Sequence, residues 1–207
     1  TFDDAMEVYQ EEMAEDIALM AAVQPSDDSY FGTSVFNHAK HRILWLLFLM
    51  LSATITGTII SRYEETISAI PLLVSFIPML MDTGGNCGTQ SSTLVIRGIA
   101  TDEIRFSDLF KVAFKESRIA LIVGAALAVV NGLRIIVMYQ DPRLAILLGI
   151  SLMCTVFLAE LIGCLLPLLA KKVHLDPAIM AAPLISTIVD ACSLIVYFQI
   201  ACRLLAI

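Results

Sequence analysis

The chain has 207 residues, 58% of them hydrophobic, with a mean hydropathy of +0.82. Soluble chains are about 45–50% apolar, so lipid rather than water is the expected solvent for most of it. Its net charge of −7 is uneven: Asp3, Asp4, Glu7, Glu11, Glu12, Glu15, Asp16, Asp27 and Asp28 supply nine of the twenty acids, no Lys or Arg precedes Lys40, and the remainder is slightly basic. Five cysteines without CxxC spacing argue against a zinc cluster or a secreted disulfide framework. The first forty residues lack the basic stretch and apolar core of a cleavable signal peptide, and a chain that opens at Thr1 in mid-pattern is expected to be a fragment.

Residues 3–20 (DDAMEVYQEEMAEDIALM) are predicted to form a helix with Asp4, Glu7, Glu11 and Glu15 on one side and Glu12 and Asp16 beside them. Like charges at this spacing oppose a helix. The run is therefore either a solvated acidic face or one neutralised by divalent cations or a basic partner. Apolar runs follow at 43–60, 112–138, 144–170 and 178–206, each able to span a bilayer as a helix. Segment 66–97 is longer, contains Pro71, Pro78 and the polar run MDTGGNCGTQSSTL (81–94), and reads as one broken or bent crossing. The expectation is an all-α membrane protein of five transmembrane helices, with residues 1–29 as an acidic cytoplasmic helix and linker and 30–207 as the membrane domain. His38, Lys40, His41 and Arg42 precede the first span. Arg97, Arg105, Lys111, Lys115 and Arg118 surround the second connection, and Lys171 and Lys172 lie in the fourth. By the positive-inside rule the N-terminus is cytoplasmic and the C-terminus outside.

Three acids lie within spans, and an ionisable group there is by default a candidate functional site: Asp82, Glu160 and Asp190. In the last span Ser186, Asp190, Ser193 and Tyr197 recur at helical spacing, a polar stripe that must face protein or water. For the hydroxyls, a helix-packing seam is the plainer alternative. No basic residue lies at a comparable depth to pair with Asp190. If 81–94 is helical, Asp82, Asn86, Gln90 and Thr93 share one face that runs on to Arg97. Gly84, Gly85 and Gly88 permit either a break that offers carbonyls to a cation or a tight packing seam. Glu160 fits a second cation site, a protonated hydrogen-bonding group, or a partner for Arg134.

Carboxylates, amides and hydroxyls are hard oxygen ligands, suited to Mg²⁺, Ca²⁺ or Mn²⁺. A proton-coupled divalent cation exchanger is the main alternative to a pore. Asp82-Thr83-Gly84 spells the triplet of aspartic proteases, and with Asp190 would supply an acid pair; no other hydrolase signature accompanies it.

TGGNCGTQSSTLVIRGIA (83–100), DPAIMAAPLISTIVD (176–190) and the EDI at 15–17 together resemble the MgtE family of magnesium channels and transporters. The resemblance covers nearly the whole chain. It implies a multi-pass cell-membrane homodimer carrying Mg²⁺, with Mn²⁺ or Ca²⁺ able to use the same site. The second and fifth helices would line a central pore with Gly84, Gly85, Asn86 and Gln90 from one and Pro183, Ser186, Thr187 and Ser193 from the other. Asp190 would bind the ion with its hydration water retained. The acidic segment would be the connecting or plug helix, where Asp4, Glu7, Glu12, Glu15 and Asp16 bind regulatory Mg²⁺ together with cytoplasmic domains, so that high internal Mg²⁺ holds the pore shut. The family's N-terminal domain and CBS pair are not in this sequence, and Ala182 stands where some members have asparagine. No nucleic-acid partner is expected, and no enzymatic activity.

Overall fold

The computed structural model describes residues 2–26, 30–180 and 182–205. They form seven helices: α1 (Phe2–Met20), α2 (Val35–Arg62), α3 (Glu64–Ala69), α4 (Ile77–Ala100), α5 (Leu109–Tyr139), α6 (Pro142–Lys172) and α7 (Ala182–Leu205). Short 3-10 turns precede α4, α5 and α7, and there is no strand among the described residues. The expected boundary at residue 29 falls beside 27–29, outside the described residues.

Among the described residues, four helical stretches are long and apolar enough to cross a membrane: α2, Phe106–Tyr139, α6 and α7. With 24 residues, α4 is as long as α7, about 36 Å at 1.5 Å per residue, but its polar run lowers its hydropathy. Within α2, Ser52 Oγ donates to the Phe48 carbonyl at 2.9 Å and Thr58 Oγ1 to that of Thr54 at 2.8 Å. These hydroxyls are thereby satisfied without water, as a lipid-facing helix requires.

The broken crossing breaks at one place. Pro71 pushes Ile70 out of helical geometry, to φ −137° and ψ 82°. A 3-10 turn over Pro71–Phe76 follows, and α4 then runs unbroken through the glycine-rich motif. The second proline, Pro78, sits in the first turn of α4, where its missing N–H costs nothing. At the far end of α5, Gln140 takes the left-handed conformation and donates its N–H to the Ile136 carbonyl at 3.0 Å. Asp141 then caps α6, accepting from the N–H groups of Arg143 and Leu144 at 2.8 and 3.2 Å, with Pro142 as the first helical residue. This two-residue connection, Gln140 and Asp141, folds α6 back along α5.

The core lies where α4, α6 and α7 meet. Leu80, Leu148, Leu194 and Phe198 fill one end, Val156, Ala159, Ile185 and Val189 the middle, and Val95, Ile99, Cys164 and Leu168 the other end. Packing on the outside of α6 is α5, whereas α2 leans on α7 and buries none of its own residues.

Candidate functional site

Three glycines of α4 set how near the other helices come. A Cβ built on Gly84 would lie 2.8 Å from side-chain carbons of both Thr155 and Val189, and one on Gly88 would lie 2.8 Å from Ile185 and 3.1 Å from the Ala159 carbonyl oxygen. On Gly85 it would meet Ser186 Oγ at 3.0 Å. The pairing of rising numbers on α4 with falling numbers on α7 makes the two helices antiparallel. Of the two roles open to the glycines, close packing is the one the geometry displays. Helix propensity given up at each glycine, about 1 kcal/mol, is exchanged for contact that any side chain would forbid.

That contact brings two polar faces side by side. Asp82, Asn86, Gln90, Thr93 and Arg97 are all exposed along one face of α4. Beside them, Met81, Asp82, Gly85, Asn86, Ser186 and Asp190 line an open groove of about 220 Å³. Asp190 is half-buried there, and Asp82 lines the same groove from α4. The groove thus offers two carboxylates, one amide and one hydroxyl, all hard oxygen donors.

The stripe on α7 divides. Ser186 and Asp190 face the groove, while Ser193 is buried beside Gly84 and Tyr197 is buried with its hydroxyl donating to the Leu73 carbonyl at 2.9 Å. Gly84 likewise faces α6 and α7. Near the start of α7, Pro183 and Thr187 are half-buried, and Thr187 Oγ1 donates to the Pro183 carbonyl at 2.9 Å. Gln90 is exposed one turn beyond the groove lining.

Glu160 is not in the groove. It is buried on α6, where Ser91 Oγ of α4 donates to its backbone carbonyl at 3.1 Å and to Oε2 of Glu116 on α5 at 2.8 Å. Arg134, one of its expected partners, instead donates to Asn131 Oδ1 at 2.8 Å and contacts Met79 sulfur at 3.1 Å.

Helix α1 docks against the 3-10 turn Pro177–Met180 that leads into α7. Glu7, Glu11, Glu12 and Glu15 line a cleft of about 460 Å³ with Pro25 and Ser26, and Asp4 is exposed one turn earlier. Asp16 points the other way, into a hollow shared with Lys171 and Asp176. Burial, then the neighbouring charge of Asp176, then that of Glu12, push the Asp16 carboxyl above the usual carboxylate range. Asp176 is the residue that sequence reasoning missed. The signal was present in the DPAIM motif, but reading Asp176 as a partner of Asp16 needs the fold that brings α1 to this turn.

Comparison with known proteins gives concordant results. The profile of the MgtE family, described as divalent cation transporter, matches residues 77–200. The chain is 35% identical over 99% of its length to the magnesium transporter MgtE of Thermus thermophilus, and covers 45% of that protein. It is 33% identical to the magnesium transporter MgtE of Bacillus subtilis and 30% identical to that of Enterococcus faecalis, over 97% of its length and 44% of each relative. The chain therefore spans about half the length of the curated relatives it matches. These relatives are named as transporters, and Asp82-Thr83-Gly84 lies within a helix rather than on the β-structure of an aspartic protease, so the enzyme reading is set aside. With four helices fit to cross a bilayer and a family match over most of its length, this multi-pass membrane protein belongs to the MgtE family of divalent cation transporters.

Proposed function

We propose that the chain forms the membrane pore of a Mg²⁺ transporter, carrying the ion into the cytoplasm past Asp190. The observation that carries this reading is the open groove in which Asp190 and Asp82 meet Asn86 and Ser186, continuous with the exposed polar face of α4. Such a surface is costly against lipid. It is supported instead as one wall of a water-filled path whose other wall is a second copy of the chain. The crossing that completes the five, second in chain order, is then α4, and the end bearing α1, Lys171 and Lys172 is cytoplasmic.

Mg²⁺ releases its water reluctantly. A groove with two carboxylates at one level suits a hydrated ion, attracted by charge and held through hydrogen bonds from its water shell. The acidic helix α1 is proposed as a regulatory element, with Asp4, Glu7, Glu12, Glu15 and Asp16 binding cytoplasmic Mg²⁺.

The test is uptake of Mg²⁺ into liposomes by the wild type, Asp190→Ala and Asp190→Asn, each checked for folding by its melting curve. Asp190→Ala is expected to lose nearly all divalent flux. Asp190→Asn, which retains hydrogen bonding without charge, is expected to lose discrimination against monovalent ions. Wild-type flux and selectivity in both folded variants would remove Asp190 from the path.

A further inference from the structure

Away from the groove at Asp190, a cavity of about 560 Å³ opens where the end of α1, the start of α2 and the start of α7 come together. Leu44, Trp45 and Phe48 of α2 form one wall, Leu19 and Pro25 a second, and Leu184 of α7 a third. On α2 the lining residues recur at spacings of three and four from His41, so they share one face of that helix. The segment after α1 is tied to the same turn, Gln24 N–H donating to the His41 carbonyl at 3.1 Å. Gln24 and His41 supply the polar part of the lining, and no Asp or Glu belongs to it among the described residues.

An enclosure of this size and lining suits an apolar guest. Ligand pockets hold about 300–1,000 Å³ and are mostly apolar with a few polar groups, and a hollow with so few polar partners offers little to water. Its place in the fold says which guest. The wall formed by α2 belongs to a span that buries none of its own residues, and Leu44 is 72% exposed, so hydrocarbon reaches the cavity from the side. The mouth is charged. Lys40 precedes Leu44 by four residues and Arg42 precedes Trp45 by three, which sets both exposed cations one turn nearer the start of α2 than the apolar wall. Trp45 lies between them and the hydrocarbon, the level an indole favours at a membrane boundary. Glu15 and Asp16, one turn before Leu19, open onto neighbouring hollows instead. An apolar slot beside two exposed cations matches a phospholipid, with hydrocarbon in the slot and phosphate at the cations. A second copy brought here by a twofold axis would set this basic rim against itself.

We propose that the cavity holds an acyl chain of an anionic phospholipid, its phosphate at Lys40 and Arg42, and that the chain clasps the end of α1 to α2 and α7. The guest touches Leu19 on one side and Phe48 and Leu184 on the others, and so joins three elements through one apolar contact. Attraction between paired Lys and Arg side chains and an anionic headgroup is strong enough to favour it several-fold over a neutral one.

The chain has one tryptophan, and it stands in the cavity wall. The protein is placed in phosphatidylcholine vesicles with a small fraction of lipid brominated on its acyl chains, either phosphatidylglycerol or phosphatidylcholine, since bromine quenches indole fluorescence on contact. At equal mole fraction, the brominated phosphatidylglycerol is expected to quench Trp45 several-fold more. The double variant Lys40→Gln, Arg42→Gln is expected to lose that preference, and Leu184→Phe, which narrows the slot from the α7 wall, to weaken it. Amide exchange in residues 17–25 is expected to slow in phosphatidylglycerol for the wild type and not for the double variant. Melting curves establish that each variant folds. Both leaflets carry the same lipids, so neither the proposed orientation nor transport enters the result. Equal quenching by the two lipids, or a preference kept in full by either variant, would overturn the site. Weak quenching by both would put protein rather than lipid against Trp45 and overturn it too. Exchange in 17–25 that ignores the lipid would overturn the clasp.

Discussion

Leu73 lies in the 3-10 turn that follows Pro71, where the helical ladder is interrupted and carbonyls need other partners. The hydroxyl of Tyr197 supplies one, reaching 2.9 Å across from α7 between two fully buried residues. A polar residue of the α7 stripe thus serves the break in the neighbouring crossing. Tyr197→Phe keeps the ring's packing against Phe198 and removes only the donor. An unsatisfied buried acceptor costs about 1–3 kcal/mol, so the variant is expected to melt earlier in detergent, with Mg²⁺ selectivity unaltered. An unchanged melting temperature would mean that the Leu73 carbonyl finds another donor. Asp190, earlier on the same stripe, shows the opposite design: it is half-buried in an open groove. Period alone placed Ser193 and Tyr197 beside it, but a helix stripe can pass from groove to interior along its length.

Helices α4 and α6 cross at Gly88 and Gly163, where a Cβ on Gly163 would collide with the Gly88 carbonyl oxygen. Backbone cannot swing aside as a side chain can, so even one methyl there must push the helices apart. Overpacking of this kind costs about 1–3 kcal/mol. Gly163→Ala is expected to lower the melting temperature and reduce flux. Gly132→Ala, on an open stretch of α5 with nothing within 4 Å, is expected to be neutral or slightly stabilising. Equal melting of both variants would sink the assigned crossing. The element scale also explains what could be read beforehand. The apolar runs gave α5, α6 and α7 to within a few residues, because length and hydropathy suffice when lipid is the solvent; for α2 they gave the body but not the polar start at Val35, eight residues before the expected 43. The glycine motif left break and seam both open, since the freedom that permits one permits the other and only the neighbours distinguish them. Gly163 gave no signal, as a single glycine in an apolar run has no pattern. Glu116 was hidden by Lys115 and Arg118 on either side, which made it look like part of a charged flank when its own face of α5 is buried.

At the scale of the molecule, two exposed polar surfaces stand out, acidic α1 and the polar face of α4. Acidic α1 rests on the turn before α7 with Asp16 facing Asp176, an arrangement of like charges that a divalent cation would relieve. Removing Mg²⁺ with a chelator is therefore expected to raise amide exchange in residues 2–20, and Asp16→Asn to blunt that response; exchange indifferent to Mg²⁺ would leave α1 without a regulatory role. The second surface is the polar face of α4. Asn86 is exposed on it and also lines the groove with Asp190. If two copies close the path around a twofold axis, residue 86 of one lies across the path from residue 86 of the other, since a twofold contact pairs a patch with itself. Asn86→Cys is then expected to form a disulfide-linked dimer on mild oxidation in membranes. Phe110→Cys, at a position 84% exposed on outer helix α5, is expected to stay monomeric. The native cysteines are buried or half-buried, so the wild type serves as the blank. Cross-linking at 110 with none at 86 would place the second copy against α5, leave the groove facing lipid, and remove the argument for a path between copies.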